Sequence, residues 1–421
     1  MLFVYMGSIM DFVKKVNTTQ KEIKMFVLVV NAGSSSLKYQ LFDMENKVVM
    51  AKGLCERIGI DGKLKHQTTG MEKVEKSIPM PTHAQAVSAL VDSLTDKEYG
   101  CISDMSQISA VGHRVVHGGP WLTKSVLVND AVIADLEKCC DIAPLHTVPH
   151  LLGIRGCMQV MPKTPQVLVI DTAFHQTMPD YAYMYPIPYE LYEKYKVRRY
   201  GFHGTSHRYV SGKAIELLGK KAEDTRIVTC HLGNGSSISA VKGGKIIDTS
   251  MGFTPLEGVI MGSRCGAVDP AIIPFLMEKE GIPVSEMGSW MNKKCGFLGV
   301  SGVSSDMREI TAAIGKGNDR ARLAYDILCY QIKKYIGSYT AAMGGLDCIV
   351  FTAGIGENTP RLREDSLSDM EFFGIKVDKA KNNEKNPCLI SADDSRVKVF
   401  VIPTNEELVI ACDTDEIVSS L

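Results

Sequence analysis

The sequence predicts an α/β fold of two duplicated domains, and three observations carry that prediction. Apolar runs of strand length alternate with stretches of helical period along the chain. A strand, polar turn, strand, turn, strand pattern near the start returns some 200 residues later, a spacing too long for a solenoid and suited to duplication of a whole domain. The 421 residues also hold about two to three times the material of one average domain.

Residues Phe26 to Val30 form a buried strand by their β-branched content, followed by the polar turn Asn31-Ala-Gly-Ser-Ser-Ser36 and a second strand, Leu37 to Phe42. A turn at Glu45 to Lys47 and an extended stretch from Val48 to Ala51 complete an antiparallel meander. A helix is expected near Thr82 to Leu94, a strand near Ile108 to Val111, a helix from Asp130 to Cys140, and a strand from Val167 to Ile170 that ends in Asp171. The meander then repeats as Arg226 to His231, the turn Leu232-Gly-Asn-Gly-Ser-Ser237, Ile238 to Val241, Gly243-Gly244, and Lys245 to Asp248. Aligning Ser35-Ser36 with Ser236-Ser237 superposes both turns, and the two are expected to face each other across a cleft. Later elements are a helix over Asp319 to Met343, strands at Cys348 to Phe351 and Val397 to Ile402, and a closing helix over Asn405 to Ser419. Thr404 and Glu407 have the spacing of a capping box for that last helix.

Composition narrows the function classes. The 47 Lys and Arg nearly cancel the 48 Asp and Glu, for a net charge of −1, so nothing favours nucleic acid or an acidic membrane as partner. No apolar run approaches the roughly 18 residues needed to span a bilayer. Twelve cysteines without a C-x-x-C spacing fit reduced thiols in the cytosol. The first 12 residues are fairly apolar but lack the preceding positive charge and cleavage site of a signal peptide. The domain proper is expected to start at Met25, with residues 1 to 24 a dispensable extension.

Three glycine-rich turns each follow an apolar strand: residues 31 to 36, His231-Leu-Gly-Asn-Gly-Ser-Ser237, and Thr352-Ala-Gly-Ile-Gly-Glu-Asn358. Without bulky Cβ substituents a backbone approaches phosphate oxygens closely and its amides donate to them. Each alone reads as an ordinary β-turn, and the recurrence in a duplicated frame favours phosphate. Neither a Walker A loop nor a GxGxxG dinucleotide pattern is present. Lys38, just past the first turn, reads either as a phosphate ligand or as a solvated surface charge.

Eight of the ten histidines fall between His113 and His231. The pairs His113/His117, His146/His150 and His203/His207 have the spacing of zinc ligands on a helix. Flanking or interrupting Gly112, Gly118, Gly119, Pro144, Pro149 and Gly204 make continuous helix doubtful, so donors to phosphate or an oxyanion are the favoured alternative. Asp171, at the end of a buried strand, reads as a site residue of an α/β sheet or as a helix cap.

Six motifs in order resemble those of the acetate kinase family: Asn31-Ala-Gly-Ser-Ser-Ser-Leu-Lys38, Gly112-His-Arg-Val-Val-His-Gly-Gly119, Asp171-Thr-Ala-Phe-His-Gln-Thr-Met-Pro179, Tyr200-Gly-Phe-His-Gly-Thr-Ser-His207, His231-Leu-Gly-Asn-Gly-Ser236 and Pro403-Thr-Asn-Glu-Glu407. The resemblance spans nearly everything from Met25 onward. It implies two actin/Hsp70-like, ribonuclease H-like domains with a nucleotide cleft between them: residues 25–173 plus 407–421 on the substrate and phosphate side, and 174–406 on the nucleotide side. It implies ATP-dependent phosphorylation of acetate to acetyl phosphate, reversible to ATP, in a cytosolic homodimer. A propionate or other short-chain acyl kinase, a pyrophosphate-linked relative and a non-catalytic nucleotide-binding module are the alternatives.

The resemblance also implies roles for residues. Arg114 and Arg264 stabilise the transition state, Arg114 also binding substrate, and His203 assists them. Asp171 is the family's essential aspartate; because acetate brings no proton to remove, the favoured role is orienting Arg114 or a metal-bound water. Asn31 and Glu406 hold Mg²⁺ or Mn²⁺. Lys38, His231, Leu232, Gly233, Asn234, Gly235, Asp306, Met307, Arg308, Gly354, Ile355, Gly356, Glu357 and Asn358 contact the nucleotide. Taken alone, Asp306 and Arg308 read as a surface ion pair. Val116, Leu145, Phe202 and Pro255 form a pocket for the acetate methyl, with propionate a slower substrate because one methylene changes binding by only about 1–3 kcal/mol.

Overall fold

A computed structural model describes residues 24–421, so the expected extension of residues 1 to 24 lies, apart from Lys24, outside the described residues. Thirteen strands among the described residues form two sheets. They are β1 (Phe26–Ala32), β2 (Ser36–Asp43), β3 (Val48–Glu56), β4 (Lys63–Thr68), β5 (Val74–Ser77), β6 (Ala110–Val115), β7 (Val126–Leu127), β8 (Gln166–Ile170), β9 (Arg226–Leu232), β10 (Ser236–Lys242), β11 (Lys245–Thr249), β12 (Cys348–Thr352) and β13 (Lys398–Val401).

Both expected meanders are present. In the first sheet β1 pairs antiparallel with β2, and β2 with β3, while β1 pairs parallel with β6. In the second, β9, β10 and β11 are antiparallel neighbours, and β12 runs parallel to both β9 and β13. The strand orders, β5-β4-β3-β2-β1-β6-β8-β7 and β11-β10-β9-β12-β13, repeat one scheme: a meander whose first strand is flanked on its other side by later strands, the nearest of them parallel to it. Strands buried on both faces become continuous apolar runs, which is why β8, β9 and β12 stood out in the sequence.

The chain folds into two compact units. One comprises the described residues up to His113, Leu152–Val167 and Ala411–Leu421; the other comprises Arg114–Leu151 and Leu168–Ile410. The core of the first packs Leu28, Val30, Leu37, Leu41 and Val111 against Val87 and Leu90 of the helix His83–Leu94. The second centres on the helix Asp319–Met343, whose Leu328, Ile332 and Ile336 meet Val228, Leu232 and Ile349.

Three local expectations are corrected. His146 and His150 do share a continuous helix, Pro144–Val160, with Pro149 inside its second turn. A proline there removes one donor, a loss that the packing around Thr147, His150 and Leu151 outweighs. The third glycine-rich segment is a short helix, Ala353–Asn358, entered through Ala353 at φ +63°, the left-handed conformation that lets a strand turn at once into a helix. The last helix is Glu406–Ser419, and its cap is the Asn405 side chain, which accepts from the Leu408 amide at 3.0 Å, one residue later than the Thr404–Glu407 frame.

Candidate functional site

Asp171 follows the last residue of β8, and its amide donates to the Val115 carbonyl at 2.8 Å, so two strand ends set its position. Its side chain is 1% exposed. Such a charge needs a partner, and the Arg114 fork supplies one: Nη2 donates to Oδ2 at 2.7 Å and Nε to Oδ1 at 3.4 Å. Burial alone depresses the guanidinium, but the charges of Asp171 and Glu406 outweigh it and hold Arg114 protonated. Gly204 closes over the same corner, with its amide 2.9 Å from the Asp171 carbonyl. A Cβ at Gly204 would lie 2.1 Å from that oxygen, so glycine is required by close approach. Gly204→Ala is expected to cost roughly 1–3 kcal/mol and to displace Asp171; thermal melts check this, and an unchanged Tm would refute it.

His203 sits immediately before the helix Gly204–Leu218 with φ +58°, a left-handed position costly for a non-glycine residue. Its ring stacks on His231 with centroids 4.1 Å apart, and its Nδ1 lies 2.9 Å from Ser237 Oγ. His231 in turn meets Ser206 Oγ through Nδ1 at 2.8 Å. Burial, then His231, Arg114, His207 and Arg264, holds His203 well below the usual histidine range. Burial, with Arg114 adding, lowers His231 to about 3. Both rings are therefore neutral near pH 7.

Gly235 shows how these groups converge. A Cβ there would lie 3.4 Å from Arg264 Nη1 and 3.6 Å from His203 Nε2, so the turn between β9 and β10 passes directly beside both. Arg264 donates to the Pro255 carbonyl at 3.1 Å, and burial lowers its pKa. Glu406, at the first turn of its helix, is pushed up to about 7, by burial first, with Arg114 opposing and Asp171 and Glu407 adding. Its Oε1 is buried with no hydrogen-bond partner. Arg114, Asp171, His203, Arg264 and Glu406 thus gather within one compact unit.

A cleft of about 840 Å³ in the same unit is lined by Gly233, Asn234, Asp306, Met307, Arg308, Gly354, Ile355 and Asn358, eight of the expected nucleotide residues. Its size suits a nucleoside. Ser305, Thr311 and Thr359 complete the lining; no motif in the sequence singled them out. Asp306 and Arg308 do form an exposed ion pair at 2.6 Å, and Asp306 also caps the helix Met307–Gly315 through the Arg308 amide. Besides Gly235, which lies beside Arg264 and His203, and Lys38, in the other compact unit, four expected residues stand outside that lining. Leu232 and Gly356 are buried in packing, His231 stacks on His203, and the Glu357 carboxylate accepts from the Thr404 amide and the Thr352 hydroxyl, both at 3.4 Å. Asn31 and Lys38 belong to the other compact unit, where they face each other as cross-strand partners on β1 and β2.

Val116 and Phe202 pack together in a small apolar cluster with Met251 and Met261. The two methionines carried no sequence signal, because they lie in loops with no periodicity. Pro255 is partly buried beside Arg264, whereas Leu145 stands 75% exposed near the start of its helix. No group of three or more His, Cys, Asp or Glu side chains that could hold a metal ion occurs among the described residues, so zinc binding by the histidine pairs finds no support. His150 instead accepts from the Val116 amide at 3.2 Å, and His207 bonds Thr229 at 2.7 Å. All twelve cysteines are free thiols, and no helix among the described residues is long and apolar enough to cross a membrane.

Comparison with known proteins follows the same lines. Residues 26–412 match the model of the Acetokinase family. The chain is 59% identical to the acetate kinase of Thermoanaerobacter pseudethanolicus over 400 residues, which cover 94% of this chain and all of that one. It is 56% identical to that of Methanosarcina thermophila over 94% of this chain and 98% of the relative. Among solved structures, acetate kinase from Porphyromonas gingivalis superposes with a TM-score of 0.90 at 49% identity, covering 94% and 100% of the two chains. A propionate kinase from Francisella tularensis gives 0.87 at 40% identity, covering 93% and 99%.

Proposed function

The chain belongs to the acetokinase family, and on that premise we infer that it transfers the γ-phosphoryl group of ATP reversibly to acetate, giving acetyl phosphate and ADP. The observation that carries this reading at the level of the site is the gathering of two guanidinium groups, Arg114 and Arg264, around the neutral ring of His203. Such an arrangement suits a reaction that brings two anions together.

Acetate is ionised at neutral pH. One carboxylate oxygen attacks the γ-phosphorus in line, the new O–P bond forms as the bridging bond to the β-phosphate breaks, and the electron pair leaves with ADP. No proton is removed, so positioning and charge neutralisation are what the protein supplies. Arg114 and Arg264 neutralise the equatorial oxygens, and a guanidinium fork also holds a carboxylate. The 2.7 Å contact to Arg114 supports Asp171 as the group that aims that fork, rather than as a base. Val116, the most accessible member of the apolar cluster with Phe202, Met251 and Met261, offers the acetate methyl an apolar wall that the other three back. The cleft lined by Asn234, Arg308 and Ile355 receives the nucleoside.

A divalent cation, Mg²⁺ or Mn²⁺, fits the donor set at Glu406, whose buried Oε1 has no protein partner and is a hard oxygen ligand. When bound, such a cation offsets phosphate charge. Glu406 would hold it, next to Asp171 and Arg114. A homodimer in a reducing compartment completes the proposal, supported by the exposed Tyr181, Tyr189 and Tyr195 and by the free thiols.

A hydroxamate assay with ATP, Mg²⁺ and acetate, propionate or butyrate tests the reading. The expected result is acetyl phosphate formation, with efficiency falling for propionate by roughly tenfold or more per methylene. Absence of an acyl phosphate with any of the three acids would sink the reading, and preference for propionate would reassign the substrate.

A further inference from the structure

His203 is held from behind by a chain of buried hydroxyl and imidazole groups that the reaction as described does not use. Its Nδ1 lies 2.9 Å from Ser237 Oγ; the same oxygen lies 2.7 Å from His207 Nε2; and His207 Nδ1 lies 2.7 Å from Thr229 Oγ1. Ser237, His207 and Thr229 are fully buried. Ser237 and Thr229 come from the adjacent strands β10 and β9, and His207 from the helix that His203 begins, so regular structure fixes all of the spacings.

Each link shares one proton, and Ser237 has only one to give to two imidazole nitrogens. Two orders keep the Ser237 proton within the chain; in a third, both imidazoles donate to Ser237, and the proton of its fully buried hydroxyl is left without an acceptor because that oxygen hydrogen-bonds only the two ring nitrogens. In the first, Thr229 donates to His207 Nδ1, His207 Nε2–H donates to Ser237, and Ser237 donates to His203 Nδ1, leaving the proton of His203 on Nε2. In the second, every donation is reversed and Nε2 carries a lone pair. For the second order the Thr229 proton must go to its other acceptor, the Ser239 carbonyl, at 3.5 Å, the outer limit of a hydrogen bond. The first order keeps that proton on the 2.7 Å contact.

The outcome matters because Nε2 is the nitrogen on the side of Gly235 and Arg264. A neutral imidazole donates to a phosphoryl oxygen only if Nε2 carries the hydrogen; with a lone pair there it would repel the anion. We propose that Ser237, backed by His207 and Thr229, is a positioning residue that sets His203 in its Nε2–H form, so that the uncharged ring acts as a hydrogen-bond donor to the transferring phosphoryl group. This rests on the phosphoryl-transfer reading above for its purpose, but the proton position is a property of the free protein.

The experiment is ¹⁵N–¹H correlation of imidazole-labelled full-length protein at pH 7.5 without substrates, with His203 assigned by loss of its signals in His203→Gln. The wild-type protein is expected to show the Nε2–H form. Ser237→Ala should convert His203 to the Nδ1–H form or a mixture and lower kcat by about 10–100-fold with KM for ATP and acetate within about threefold. Thr229→Val, which keeps the volume and removes the far hydroxyl, should shift the tautomer in the same direction and serves where Ser237→Ala does not fold. An Nδ1–H ring in the wild-type protein, an unshifted tautomer in the variants, or a kcat within about twofold of wild type in Ser237→Ala overturns the proposal. Loss of the acetyl phosphate signal in the wild-type assay would instead strike the function, leaving the tautomer to be read independently.

Discussion

Replacing Arg114 by alanine is expected to lower kcat/KM for acetate by about a thousandfold, the scale at which a positively charged group that stabilises a transferring phosphoryl acts, and to destabilise the fold as well. The second effect follows from burial. Asp171 is 1% exposed and the Arg114 side chain 21%, so the alanine variant strands a carboxylate in the interior with Glu406 nearby. Removing one partner of such a pair costs about 3–5 kcal/mol. Arg114→Lys keeps the charge but not the two-pronged geometry and should recover part of the stability with little of the activity. Arg114→Ala combined with Asp171→Asn should recover stability by removing the stranded charge, and no activity. Thermal melts and the hydroxamate assay on the three variants decide the matter; a melting temperature for Arg114→Ala equal to wild type would mean that the pair is not a structural unit.

Acid should unfold this protein earlier than its near-neutral composition implies. Burial lowers His113 and His117 to about 4, and His175 and His231 to about 3. The unfolded chain binds the proton with a pKa near 6.5, so between pH 6.5 and the folded values the unfolded state holds more protons. The stabilisation is complete above about pH 6.5 and is lost as pH falls toward 4 and 3. By linkage each of these side chains contributes about 1–2 kcal/mol of lost stability at pH 5, and four of them together reach the size of a whole domain's margin. The melting temperature should fall steeply below pH 6.5, with several protons taken up on unfolding at pH 5.5 and far fewer at pH 7.5. A flat melting temperature from pH 7.5 to 5 would refute this.

The central strands were legible because they are buried on both faces, whereas the half-exposed β4 and β5 gave no such signal. Continuous runs such as Val167 to Ile170 and Cys348 to Phe351 cannot hide in a sequence, and duplication printed the meander twice. Helix ends were less legible, since the cap at Asn405 and the frame at Thr404 and Glu407 differ by one residue and only backbone geometry separates them. Pro149 misled for a similar reason: local propensity argues against a helix that tertiary packing then imposes.

Charge, the number of thiols, the paired glycine-rich turns and the candidates for chemically active residues were determined by the sequence alone, because each is a property of residue type at a given place in the chain. Tertiary structure decided the rest. It set Asp171 against the Arg114 fork, left Glu406 Oε1 buried without a partner, brought Met251 and Met261 to Val116 and Phe202, and tied Ser237 to two imidazoles. Those relations join residues far apart in the chain, and their consequences, a neutral histidine beside two guanidinium groups and a hydroxyl that orients its proton, arise from burial and distance, which no linear pattern contains.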